Sequence, residues 1–159
     1  MTKYVALLRG INVGGNAKVS MARLKELFLA QGFTNVTTYI NSGNVLFETD
    51  RKDPLLITGT IEHALKKEFG FPIPTLIRDE QTMRKVAQTI PSTYTNDTKQ
   101  RTDVLFLWSA FDSKSTLARL PTNPTVDRVQ YVAGSIIWNL DRADYHRSGM
   151  YKFIGTDVY

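Results

Sequence analysis

Val36-Thr37-Thr38-Tyr39-Ile40-Asn41-Ser42-Gly43-Asn44-Val45-Leu46-Phe47-Glu48-Thr49 reads as a hairpin. Val36 to Ile40 and Val45 to Thr49 are rich in β-branched and aromatic residues, and the Asn41-Ser42-Gly43-Asn44 turn reverses the chain between them. Upstream, Met21, Leu24, Leu27 and Phe28 recur at helical spacing, with Ser20 placed to cap and Gly32 placed to stop. Lys3 to Leu8 is a further β-rich run ahead of that helix. Downstream, Asp53-Pro54 opens a helix whose Ile57, Ile61, Leu65 and Phe69 share a face, Gly70 ends it, and Pro72 to Ile77 reads as a strand. The order is βαββαβ, the ferredoxin-like plait of an α+β protein.

The pattern then restarts. Asp79 is placed to cap a connecting helix, Glu80 to Ile90, with Met83, Val86, Ala87 and Ile90 on its apolar face. The polar stretch Ser92 to Arg101 is the expected linker. Beyond it come a strand (Asp103 to Trp108), a short helix (Ser113 to Leu120), a hairpin (Val129 to Val132 with Ile136 to Leu140) and a helix from Asp144 to Ile154. This second half is βαββα, an incomplete plait. The expected organisation is a ferredoxin-like subdomain over 1–79, a connecting helix and linker over 80–101, and a second α+β subdomain over 102–159.

Composition excludes several chemistries. With no cysteine among 159 residues there is no disulfide, no thiolate nucleophile and no cysteine-held metal or cluster. The two histidines, His63 and His146, sit in no metal-ligand spacing, so no metal and no cofactor are expected. No run is long and apolar enough for a signal segment or a membrane span, which makes the cytoplasm the expected location and a membrane an unexpected partner. A net charge of +5 is spread thinly along the chain, and a solvated basic surface ranks above nucleic-acid binding.

In a plait the first two strands run parallel, so the loop Arg9 to Ser20 and the turn Asn41 to Asn44 belong at one end of the sheet, with Gly70-Phe71-Pro72. That rim would carry Arg9, Asn12, Gly14, Gly15, Lys18, Ser42 and Asn44. Glycine amides, a helix start and two cations suit a phosphate or a carboxylate. The same residues also serve as plain turn chemistry, and the sequence leaves both readings open. Gly10 and Gly15 have P-loop separation, but Asn16-Ala17-Lys18 stands where Lys-Ser/Thr must follow, so that motif fails.

The phrase Tyr4 to Gly15, with Leu24 to Phe33 and Thr38 to Val45, closely resembles an uncharacterised bacterial family, domain of unknown function 1697. The resemblance implies two ferredoxin-like subdomains and brings no established activity. Members usually continue with a segment containing an Arg-Asn pair and a final helix, whereas this sequence stops at Tyr159, and the second subdomain is expected to be incomplete at its C-terminus.

The leading functional reading is a soluble binding module holding an anionic group of a small molecule on the rim. An acylphosphatase-like hydrolase using Arg9 and Asn41 or Asn44 is an alternative, although the family's Gln-Gly-Val loop is missing. Non-specific nucleic-acid binding is another, and pairing into a homodimer through edge strands stays open. Whether the chain is an enzyme is not legible.

Overall fold

Strand β1 (Thr2–Leu8) lies between β3 (Asn44–Thr49) and β4 (Thr75–Asp79), and β2 (Thr34–Tyr39) pairs with the far side of β3. The computed structural model, which describes residues 1–15 and 17–153, therefore has a first sheet of order β2-β3-β1-β4 with every adjacent pair antiparallel. The register explains the alternation in the sequence. Ala6 stands between Val45 and Ile77, Tyr4 stands opposite Phe47, and these residues share the face turned to helices α1 (Met21–Ala30) and α2 (Pro54–Phe69). Leu24 and Phe28 of α1 and Ile57, Ile61 and Leu65 of α2 are buried against it. Phe47 is the hub, with ring centroids 4.7 Å from Phe33, 5.5 Å from Phe28 and 5.7 Å from Tyr4.

The helix ends follow the capping chemistry of the sequence. Ser20 Oγ accepts from the Arg23 amide, Asp53 Oδ1 accepts from the Leu55 and Leu56 amides, and Gly70 closes α2 in the left-handed conformation. Two strand limits differ from expectation. β4 starts at Thr75 instead of Pro72, because Pro72 and Pro74 have no amide hydrogen to give a ladder. β2 stops at Tyr39, because Ile40 turns to a φ of +50° and leaves the strand.

The chain divides into two compact units, residues 1–83 and the chain from Arg84 onward, and passes from one to the other within α3 (Glu80–Thr89). In the second unit β5 (Gln100–Phe106), β7 (Ser135–Asp141) and β6 (Arg128–Val132) form a three-stranded antiparallel sheet in that order. Strand β7 is buried from Ser135 to Leu140: Ile136, Trp138 and Leu140 join Leu107, Leu120, Val126 and Met150, while Ile137 packs with Val86 and Val132. Burial on both faces is why its sequence is a continuous apolar run. Asn139 fits there because Nδ2 donates to Thr102 Oγ1 at 2.9 Å and Oδ1 accepts from Arg128 Nε at 2.6 Å.

Three features of the second half correct the sequence reading. The expected helix Ser113 to Leu120 is a 3-10 helix, Lys114–Arg119, capped by Ser113 and stopped before Pro121. The expected helix Asp144 to Ile154 is a 3-10 helix (Arg142–Arg147), then Ser148 and Gly149, then the short α4 (Met150–Phe153); Ile154 lies outside the described residues. The expected linker Ser92 to Arg101 is bonded into the second unit: Asp97 Oδ1 accepts from the Lys99 and Gln100 amides, Arg142 Nη2 reaches Asn96 Oδ1 at 2.9 Å, and Gln100 and Arg101 open β5. Those two amides also hold the Asp97 carboxyl below the usual carboxylate range.

A local junction occurs in both units although the two stretches of sequence share no motif. Leu8, directly after Tyr4-Val5-Ala6-Leu7, donates its amide to Gly43 O at 3.0 Å; Leu107, directly after β5, donates to Gly134 O at 2.9 Å. Both acceptors are hairpin glycines with φ of +84°. No helix among the described residues is long and apolar enough to cross a membrane.

Candidate functional site

The loop after β1 and the β2–β3 hairpin meet through one side chain. Asn12 Nδ2 donates to Asn41 O in the hairpin at 3.0 Å and to Val19 O at 3.0 Å, while its Oδ1 accepts from the Val19 amide at 2.8 Å. The Asn12 amide itself donates to Ala17 O, so this residue closes its own loop and fastens it to the other. The Arg9 amide donates to Pro74 O at 2.9 Å, which brings the segment after Gly70-Phe71-Pro72 to the same rim.

Close packing lies under the rim. Gly43 is buried, and a Cβ there would stand 2.5 Å from Ile11 Cδ1 and 3.0 Å from Leu8 Cβ, on a backbone already left-handed. Gly10, Asn12, Gly14, Gly15, Ala17, Ile40 and Gly43 all have positive φ. For the β-branched Ile40 this is a costly conformation, of the kind that surrounding structure must enforce.

The structure sorts the candidate residues into framework and surface. Asn12 is framework. Asn44 Nδ2 donates to Ser42 Oγ at 2.9 Å and to Tyr39 O at 3.4 Å, so Asn44 and Ser42 close the hairpin. Arg9 is half-buried and has a partner within the protein. Gly14, Gly15 and Lys18 are exposed, and, chain neighbours aside, no heavy atom of the described residues lies within 4 Å of a Cβ built on either glycine. Neither loop 9–20 nor hairpin 40–44 contains an acidic residue. Sequence reasoning missed the apolar side chains of this rim: Val13 is 69% exposed, Tyr39 64% and Ile40 61%. An apolar residue flanking a glycine turn was the available signal.

Asn12→Ala should loosen the rim. It removes three hydrogen bonds and leaves the Val19 amide without its side-chain acceptor, at a cost of about 1–3 kcal/mol. Faster hydrogen exchange at Val19 together with a lowered melting temperature is the expected result.

Other polar clusters are structural. Asp141 pairs with Arg128 and Asp144 with Arg147, both at 2.8–2.9 Å, and His146 and His63 are exposed. Among the described residues no group of three or more His, Cys, Asp or Glu is placed to hold a metal ion. A groove between α1 and α2 is lined by Arg23, Leu27, Ala30, His63, Lys67 and Glu68, and Arg23 bridges it by pairing with Glu68 on one side and Glu26 at 2.8 Å on its own helix.

The family model for a protein of unknown function, DUF1697, matches residues 1–138. The chain belongs to the DUF1697 family. A solved structure similar to this DUF1697 chain is that of the conserved bacterial protein SP0830 from Streptococcus pneumoniae, with 25% sequence identity and a TM-score of 0.77 over 96% of this chain and 84% of that one. No curated protein matches the DUF1697 chain.

Proposed function

We propose that this chain is a binding module whose rim, at the C-terminal end of β1, holds an anionic group, a phosphate or a carboxylate, of a small molecule. One observation carries the reading: the Asn12 clamp fixes two glycine-bearing loops side by side, with Gly14, Gly15 and Lys18 on the open side and no acidic residue in either loop. Gly14 and Gly15 are both left-handed and exposed, and their backbone N–H groups are the donors this reading gives to the anion. Lys18 adds a charge-assisted donor, and Arg9 is the second cation of the same loop. The same reading takes the first unit as a ferredoxin-like plait, supported by its sheet order and antiparallel pairing, and the second as an incomplete one.

Ligand titration followed by thermal unfolding tests this. An anion at a hundred times its Kd should stabilise the first unit by about 2.7 kcal/mol, a rise in melting temperature of several degrees. Lys18→Glu, at an exposed position, should weaken that response without lowering the unliganded melting temperature. If neither phosphate compounds nor carboxylates shift the transition, the proposal is wrong.

A further inference from the structure

We propose that the rim of the first unit takes a carboxylate carried on an apolar group, seated where the second unit seats its own Asp112. The inference rests on the anion-binding reading above and narrows its chemistry.

The two strand–hairpin junctions are built alike, with Leu8 on Gly43 in one unit and Leu107 on Gly134 in the other. In the second unit the loop after β5 returns a carboxylate to its hairpin: Asp112 Oδ1 accepts from the Gly134 amide at 2.7 Å and from the Tyr131 hydroxyl at 2.8 Å. That carboxylate pushes the Tyr131 phenol up, since it stabilises the protonated hydroxyl that donates to it. A single planar carboxylate thus satisfies the glycine and a hydroxyl of the neighbouring strand.

The first unit repeats the junction and its register without the acid. Tyr131 stands opposite Ile136, one position beyond the Val132–Ser135 pair that closes its hairpin; Thr38 stands opposite Val45, one position beyond the Tyr39–Asn44 pair. Thr38 therefore holds the register position that Tyr131 holds, with its hydroxyl on a shorter side chain. Among the described residues none accepts a hydrogen bond from the Gly43 amide, and the loops carry no Asp or Glu to supply one. The acid must come from outside. Val13 in the loop after β1 and Ile40 in the hairpin turn, each more than three-fifths exposed, offer apolar surface that a bare inorganic anion would leave unused.

The test uses the full 15N-labelled chain titrated with acetate, benzoate and inorganic phosphate, read by amide chemical shifts. Benzoate should move the Gly43, Thr38 and Gly14 amides saturably, at a concentration about tenfold below acetate, the gain expected for burying part of one ring. The Gly134 amide should stay still, because Asp112 occupies it. Asp112→Ala, at an exposed position, should make the Gly134 amide respond to acetate and so recover the occupancy that the side chain gave. Saturable shifts with phosphate while both carboxylates are silent would overturn this inference and leave the anion-binding reading standing. Equal potency of acetate and benzoate would likewise overturn it. Silence of the rim amides toward all three anions would overturn both.

Discussion

Gly149→Ala should abolish the folded second unit. A Cβ at this position would stand 1.6 Å from the Pro121 carbonyl oxygen and 2.4 Å from its carbon, a collision with backbone that no rotamer relieves. The surrounding stretches have no slack. The Gly149 amide donates to Asp127 Oδ2 at 2.9 Å, and Asp127 also accepts from the Asn123 amide, so moving either stretch breaks buried hydrogen bonds. The expected loss is on the order of 5 kcal/mol or more, comparable with the whole stability of a small domain. The readout is selective, since the only tryptophans, Trp108 and Trp138, both lie in the second unit. Their fluorescence should report an exposed, unfolded environment. Gly59→Ala is the matched control: it lies inside α2 with nothing within 4 Å of the added Cβ, and should stabilise by about 0.5–1 kcal/mol. A Gly149→Ala protein with native tryptophan emission and an unchanged melting temperature would refute the packing described here.

The second large effect belongs to Asp127→Ala. This carboxylate is 6% exposed and accepts from the Trp138 indole at 3.0 Å, the Ser148 hydroxyl, and the Gly149 and Asn123 amides. Truncation orphans several buried donors at about 1–3 kcal/mol each, so a total near 3–5 kcal/mol and a fall of more than about 10 °C in melting temperature are expected. The pH dependence has a definite sign. Burial alone raises the Asp127 carboxyl, but donation from Ser148, Asn123, Gly149 and Trp138 outweighs it and leaves the group below the usual carboxylate range. A carboxyl depressed in the folded state contributes stability that is complete above its unfolded value, about 4, and fades as pH falls through the folded one. Melting curves of the native chain from pH 6 to pH 2 should therefore show an acid-side decline that Asp127→Asn flattens. Parallel curves for the two proteins would count against Asp127 as the source.

The first half of the chain was legible because its signals are local and periodic. Ile57, Ile61 and Leu65 announce a helix face, Ser20 and Asp53 announce caps, and the alternation through Val45 and Phe47 announces a half-buried strand. The second half resists the same reading. Its 3-10 helices Lys114–Arg119 and Arg142–Arg147 are six residues each, too short to show a period, and Ile136-Ile137-Trp138 runs apolar without alternation because both faces are covered. Asp127 gave no sign, since its donors sit at 123, 138, 148 and 149 and only the folded chain gathers them. The rim was half legible. Glycine and asparagine marked the turns, and strand topology placed both loops at one end, but the inward use of Asn12 and the outward display of Val13, Tyr39 and Ile40 depend on side-chain direction, which spacing does not encode.

The handedness of the rim constrains anyone who would resurface it. Its shape is set by torsion angles, so positions 10, 14, 15 and 43 resist replacement even where, as at 10, 14 and 15, there is ample room for a larger group. Positions 13, 18 and 39 owe the backbone nothing of that kind and are exposed. Randomising those three while keeping the glycines would vary the exposed side chains on one unchanged loop skeleton.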